Sequence, residues 1–162
     1  IGSIVQKPEK MPEDFRVSAI QWMNRSKKQL PIYPDTESAI KARHQVGGIL
    51  KSSVRPLVER GLRPMNGGYT WRSDPILKNK SRHYFTEEQA KAFIMEISAP
   101  VLLIEAEHTE KDYWYELLQK RLPYVKNLQH KIVSGGHHLH LDNPAPVASA
   151  IREFLNKFSE KT

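Results

Sequence analysis

Two patterns of apolar and polar positions divide the chain near residue 98. In the first part, helical stretches are separated by breaks at Pro31–Pro34, Gly47–Gly48 and Asn66–Gly68, as expected of helices joined by turns. In the second part, short apolar runs alternate with amphipathic stretches, an order typical of a parallel α/β sheet. We therefore predict two regions, residues 1–98 and 99–162.

Four helices are predicted in the first region, each from an N-terminal signal followed by apolar residues. The predicted helices are Pro12 to about Gln29, one capped by Thr36 and ending near Gln45, one capped by Ser52 or Ser53 and ending at Gly61, and one opened by the Thr86/Gln89 capping box and ending near Ile97. In the first helix, one stripe is expected to be buried, namely Phe15, Ala19, Ile20 and Met23. Tyr69–Pro75 is predicted as an extended segment closing in a turn. With few apolar residues per helix, this region is expected to cover another surface.

The second region predicts a strand–helix–strand unit. Val101–Ile104 is a continuous apolar run, typical of a strand buried on both faces, and Lys131–Val133 is a second short strand. A helix over about 110–121 lies between them. Pro144 suits the first position of a last helix. That helix is predicted to be amphipathic through Val147, Ile151, Phe154, Leu155 and Phe158.

Composition narrows the classes of protein. Of the 162 residues, 39% are hydrophobic, a globular value, and the absence of cysteine excludes disulfides and thiolate metal sites. The longest apolar run, Val101–Ile104, is far too short to cross a membrane. The net charge of +7 is spread over separate clusters without interleaved aromatic residues. We therefore expect a solvated basic surface; a nucleic-acid-binding module would rest on charge alone.

The predicted loops after the two strands carry the candidate chemistry. The carboxyl ends of parallel strands share one edge of a sheet, where ligands bind. Glu107 and Glu110 follow the first strand, and Gly135-Gly136-His137 follows the second. A carboxylate from the first loop is therefore expected within reach of the imidazole, as in a Ser–His–acid triad. The two glycines would let the backbone turn sharply before the histidine.

Two other interpretations of this histidine-rich loop stay open. The Gly-Gly-His sequence is also typical of an ordinary turn that carries a surface histidine. Alternatively, His137, His138 and His140 could bind a metal ion together, although no fourth ligand is visible in the sequence. We expect no metal site and no cofactor.

The histidine loop resembles that of α/β-hydrolases. Gly135-Gly-His-His-Leu-His-Leu-Asp-Asn-Pro144 is similar to the family pattern of glycine, catalytic histidine, an acidic residue and proline. Ala99–Ile104 resembles the family's penultimate strand, while Tyr69–Pro75, Thr86–Gln89 and Leu57–Leu62 resemble the lid of the serine hydrolase-like subgroup. The resemblance implies an α/β fold: the C-terminal portion of an α/β-hydrolase, with its last two parallel strands and flanking helices over 99–162, preceded by a mostly helical lid over 1–98.

The resemblance also implies roles for individual residues. His137 is expected to be the general base, with His138 a neighbour that contacts substrate, and Tyr69 and Trp71 in the lid are expected to line an apolar acyl site. The family's acid position aligns with Thr109, flanked by Glu107 and Glu110 as candidate acids. In some family members the acid instead follows the sixth strand, which would place it just before Ile1.

The nucleophile is the main departure from the family pattern. The elbow G-x-S-x-G occurs nowhere in the 162 residues, and the chain begins with Ile1 rather than methionine. We therefore expect a C-terminal fragment of a serine hydrolase that cleaves small acyl esters, with its serine and oxyanion hole upstream. The alternative is a truncated, inactive product that acts as a binding or regulatory module. A start codon just before Ile1 would favour that alternative.

Two expectations concern the chain in solution and in the cell. A two-stranded sheet leaves an unpaired strand edge, through which the isolated chain is expected to associate. An intracellular, cytoplasmic location is expected, with peroxisomal or vesicle-associated locations left open.

Overall fold

The computed structural model describes residues 4–27 and 29–159. The described chain divides into two compact units, one over residues 4–87 and one from residue 88 onward. No helix among the described residues is both long and apolar enough to cross a membrane.

The described residues of the first unit form three complete α-helices, a β-hairpin and short 3-10 turns. Its elements in chain order are α1 (Met11–Met23), α2 (Thr36–His44), α3 (Lys51–Gly61), β1 (Leu62–Met65) and β2 (Gly68–Trp71), with α4 (Glu87–Met95) beginning at its last residue. The two strands pair antiparallel around Asn66-Gly67, from Leu62 opposite Trp71 to Met65 opposite Gly68. The core of this unit lies mainly between α2 and α3, where Ile40, Val54 and Val58 are almost completely buried.

Helix α1 is shorter than predicted, and the predicted apolar stripe is wrong. The helix ends at Met23 because the Asn24 side chain donates a hydrogen bond to the Ile20 carbonyl (3.0 Å). Met23 is 77% exposed, and Phe15 and Ile20 are exposed as well. The residues of α1 that are buried are polar: Asp14 and Ser18. They are buried because they bind the segment around Lys80, which contacts that face of the helix.

Two predicted helix caps are also wrong. Asp35, not Thr36, caps α2 by accepting a hydrogen bond from the Ser38 N–H (2.7 Å). Helix α3 begins at Lys51 without a side-chain cap. Ser53 cannot serve as its cap because it lies inside the helix and is itself buried.

The second unit has a two-stranded parallel sheet, as predicted. Its elements are β3 (Val101–Ala106), α5 (Tyr113–Arg121), β4 (Leu128–Val133), α6 (Leu139–Asp142) and α7 (Pro144–Ser159). Val101 lies opposite Leu128, and Ala106 opposite Val133. Both strands are longer than predicted, and the added residues include polar ones. The α/β class and the parallel pairing are confirmed.

A small core holds α6 and α7 against one face of this sheet. Ala106, Val133 and Leu139 are buried together, with Ile104 and Val147 packed against them. Further along, Lys131 pairs with Glu153 of α7 (2.8 Å). Three of the five residues in the predicted apolar stripe of α7 are exposed: Ile151, Leu155 and Phe158.

Candidate active site

The loops that follow β3 and β4 are joined by backbone hydrogen bonds. The Glu107 N–H donates to the Val133 carbonyl (2.9 Å), and the His108 N–H donates to the Gly135 carbonyl (3.1 Å). These bonds continue the parallel ladder beyond the last strand residues. The two candidate loops therefore lie side by side at the carboxyl edge of the sheet, as their positions in the sequence predicted.

Gly135 gives the second loop its sharp turn. Its φ of 141° lies in a region that side chains other than glycine rarely adopt. A Cβ on this residue would also meet the Leu139 Cβ at 3.0 Å. Gly136 has neither constraint, because a Cβ there would meet nothing within 4 Å. The geometry requires glycine at the first of the two positions only.

His137 lies between this turn and the short helix α6. It is exposed, and its ring meets the His138 ring edge-on with centroids 4.8 Å apart. The Leu139 N–H donates to the Gly136 carbonyl (2.9 Å), and the buried Leu139 side chain fixes α6 to the core. This anchoring holds a solvent-accessible imidazole at the carboxyl edge of the sheet.

The candidate acids lie in the neighbouring loop and are exposed. The Glu107 carboxylate is 3.9 Å from Nε2 of His108, its chain neighbour. Thr109, at the family's acid position, donates its hydroxyl to the Ala106 carbonyl (2.6 Å). Among the described residues, no hydrogen bond or ion pair joins His137 to Glu107 or to Glu110. The loops are adjacent, but a base–acid contact is not formed in this conformation.

The histidine cluster offers no metal site in the described part of the chain. His138 lies between His137 and His140, with 6.0 Å between the His138 and His140 ring centroids. No group of three His, Asp or Glu residues is arranged there to hold a metal ion. The described geometry therefore gives the metal interpretation no support.

The two predicted lid aromatics lie in the first unit. The Trp71 indole donates to the Tyr33 hydroxyl (3.3 Å) and packs so closely on Gly61 that a Cβ there would meet its ring at 2.8 Å. Tyr69 exchanges two backbone hydrogen bonds with Tyr33, both 2.8 Å, and its side chain is 37% exposed. The ring of Trp71 is thus used in packing, whereas that of Tyr69 is partly free.

Some site residues were missed from the sequence. Leu139, between two histidines, is the buried anchor of the loop. Asn143 closes the loop by donating its side-chain N–H to the Ser134 carbonyl (3.4 Å). The sequence does indicate Leu139, because it is the first apolar residue after the two glycines. Nothing in the sequence indicates the contact between Asn143 and Ser134.

A second His–carboxylate pair lies on the sheet itself. His130 Nε2 is 2.8 Å from Glu105 Oε2. That oxygen is buried, and it accepts no hydrogen bond from the described part of the chain. The two residues lie diagonally across the β3–β4 register on the face away from Ala106 and Val133. They therefore take no part in the His137 loop.

Known proteins similar to this chain include serine hydrolase-like proteins. No family model matches the chain. A serine hydrolase-like protein of Dictyostelium discoideum is 31% identical over 111 residues, which are 64% of this chain and 30% of that protein. A Drosophila melanogaster protein described as a probable serine hydrolase is 32% identical over 117 residues, 68% of this chain and 35% of that protein.

Solved structures agree on the fold. A hypothetical protein of Pseudomonas aeruginosa PAO1 matches with a TM-score of 0.78 and 30% identity, over 96% of this chain and 55% of that one. The thioesterase domain from the curacin biosynthetic pathway matches with a TM-score of 0.68 and 24% identity, over 83% of this chain and 50% of that one. The chain has part of an α/β-hydrolase fold.

This α/β-hydrolase chain spans less than half the length of the curated relatives it matches. It carries a part of the hydrolase fold that includes the β3–β4 pair and the His137 loop, and among the relatives it resembles the serine hydrolase-like proteins. The resemblance stated from the sequence is confirmed. The roles of individual residues stay predictions.

Proposed function

We propose that this chain supplies the general base of a serine hydrolase that cleaves small acyl esters. The observation that carries the proposal is the position of His137, exposed in a loop anchored directly after the second parallel strand. Its attachment by Leu139 and by the His108–Gly135 hydrogen bond supports it, since a general base must be held in place. Relatives named as serine hydrolase-like proteins support the same activity.

The proposed chemistry is acyl transfer through a covalent intermediate. A serine hydroxyl attacks the ester carbonyl while His137 accepts its proton and then delivers that proton to the leaving alcohol. Water attacks the acyl-enzyme in the second half-reaction, again with His137 as base, and the serine is regenerated. Since G-x-S-x-G is not found in these 162 residues, the serine and its oxyanion hole come from another segment.

Glu107 and Glu110 are the proposed sources of the acid that orients the imidazole. Both lie in the loop after β3, which is hydrogen-bonded to the loop of His137. The first unit is proposed to act as the lid, with the exposed part of Tyr69 available to an acyl group. His138 is proposed to contact the substrate beside the base.

Labelling with a fluorophosphonate tests this proposal. We expect the whole encoded protein to be labelled, and the 162-residue chain alone to remain unlabelled. His137-dependent labelling of the isolated chain would mean that one of its own serines is the nucleophile. An unlabelled whole protein with normal folding would contradict hydrolase activity and favour the inactive binding or regulatory module.

A further inference from the structure

Charge is distributed very unevenly between the two units. Residues 4–87 hold 16 lysines and arginines against 8 aspartates and glutamates, whereas the remainder from residue 88 holds 9 against 10. The first unit therefore has a formal net charge of +8 and the second of −1. The positive field of the protein originates in the first unit, and it favours the approach of anions there.

A groove in this unit combines two arginines with apolar walls. Its volume is about 620 Å³, and it lies between the chain before Tyr33 and one face of the β1–β2 hairpin. Because side chains alternate along a strand, Arg63, Thr70 and Arg72 share that face, whereas Leu62 and Trp71 point to the other. Leu30, Ile32 and Met65 form the apolar part of the lining.

The groove is held in shape by hydrogen bonds. The buried Thr70 donates its hydroxyl to the Pro31 carbonyl (2.9 Å), which ties the hairpin to the opposite wall. The Arg72 Nε donates to the Leu62 carbonyl (2.8 Å). That bond orients the guanidinium group, and its two terminal nitrogens have no hydrogen bond or ion pair in the described part of the chain. A guanidinium held in this way loses little side-chain entropy when it binds an oxyanion.

The charges lining the groove are not balanced within it. Arg63 is exposed, and no carboxylate in the described part of the chain lies within ion-pair distance of it. Asp74 also lines the groove, but its Oδ1 accepts a hydrogen bond from the Ile76 N–H (2.9 Å) and caps the following turn. The lining of the groove therefore contains two guanidinium groups and one carboxylate, and that carboxylate already accepts a backbone hydrogen bond.

We propose that this groove binds an organic anion with a carboxylate or phosphate head and an unbranched apolar chain. The head lies between Arg63 and Arg72, where both guanidinium groups donate hydrogen bonds to its oxygens. The chain lies along Leu30, Ile32 and Met65. The site is contained in residues 29–75 and does not depend on the role of His137.

Isothermal titration calorimetry of the 162-residue chain tests the proposal, with decanoate and decyl phosphate below their micelle concentrations as probes. We expect saturable binding of at least one of them, and the stronger of the two identifies the head group. Decanol, which has the same chain without the charge, should bind at least about tenfold more weakly, because a hydrogen bond to a charged group is lost.

Matched arginine variants separate the groove from the general charge of the unit. Arg63→Ala should weaken binding at least about tenfold. Arg60→Ala removes the same charge from the exposed end of α3 and should leave the affinity unchanged. Arg72→Ala is not used, because it also removes the hydrogen bond to Leu62. Arg63→Lys serves as the second variant: it keeps the positive charge but loses the paired N–H donors of the guanidinium group, and it should bind with intermediate affinity. Far-UV circular dichroism checks the fold of each.

Three results would overturn the proposal. The first is the absence of saturable binding of both anions to a folded chain. The second is binding of decanol as strong as that of the anion that binds more tightly. The third is an equal loss of affinity in Arg60→Ala and Arg63→Ala, which would assign the binding to net charge rather than to the groove.

Discussion

Gly135 and Leu139 approach so closely that a methyl group on Gly135 would lie 3.0 Å from the Leu139 Cβ. Leu139 belongs to the buried cluster with Ala106 and Val133 and has little room to move. The path of the chain into His137 is therefore determined by a glycine and a leucine on either side of it, rather than by contacts of the imidazole.

Gly135→Ala is expected to destabilise the second unit by about 1–3 kcal/mol, because its φ of 141° is unfavourable for alanine and the added methyl group clashes with Leu139. Gly136→Ala is the matched control and should leave the free energy of unfolding nearly unchanged, since its Cβ enters open space. Urea denaturation of both variants measures the difference. Equal stabilities of the two variants would contradict this description of the loop.

Asp35→Ala is expected to cost about 0.5–2 kcal/mol of stability, because it removes the cap of α2. Thr36→Ala, one residue further, should cost much less, since the Thr36 side chain caps nothing. Thermal unfolding of the two variants compares them directly. A larger loss of stability for Thr36→Ala than for Asp35→Ala would support Thr36 as the cap of α2.

The buried Asp14 is expected to make the first unit sensitive to acid. The pKa of its carboxyl group lies below the ordinary value of 3.8, first because Lys80 donates a hydrogen bond to it and second because Gln6 does so over 2.7 Å. A carboxyl group with a lowered pKa stabilises the fold above its unfolded-state pKa, and this stability is lost as the pH falls through the folded-state pKa.

Urea unfolding at about pH 6 and about pH 3 tests the role of Asp14. Asp14→Asn should lower the free energy of unfolding at the higher pH and reduce its decline toward the lower one. Glu9→Gln, which removes an exposed carboxylate from the preceding turn, should preserve the decline. If the free energy of unfolding of Asp14→Asn declined as steeply with falling pH as that of the unsubstituted chain, the pair of Asp14 and Lys80 would not contribute to the acid sensitivity.

The isolated chain is expected to associate through β3. Val101 and Glu107 donate their N–H groups to the side of β4, so the alternate residues, Leu102 and Ile104, direct theirs to the open edge. Leu102→Pro removes one of these donors without breaking the ladder and should reduce association. Sedimentation velocity at several concentrations measures it. A monomeric unsubstituted chain at all concentrations would contradict the prediction.

The parallel pair and the two loops could be predicted from the sequence because apolar runs are typical of strands and glycines of sharp turns. The predicted burial of Val101–Ile104 on both faces is wrong, since these four residues are only partly buried. The full lengths of the strands could not be predicted, since Glu105 and His130 are polar, and they come to lie 2.8 Å apart only in the folded sheet. A polar residue whose partner is distant in the chain has no local signal.

The β1–β2 hairpin was missed although Asn66-Gly67 is a common hairpin turn. Its strands are four residues each and carry Arg63 and Pro64, so the alternation of apolar residues is too short to recognise. The predicted stripe of α1 was wrong for a related reason. Asp14 and Ser18 are buried by hydrogen bonds to a segment more than 60 residues away, which no helical periodicity can indicate.

The central claim is that His137 is the general base, and kinetics of two histidine variants in the whole encoded protein test it most directly. With p-nitrophenyl butyrate as substrate, His137→Ala is expected to lower kcat/KM by about 10²- to 10⁴-fold. His140→Ala, three residues further on in α6 and also exposed, should keep kcat/KM close to that of the unsubstituted protein. Unchanged turnover in His137→Ala, or a larger loss in His140→Ala, would contradict the assignment.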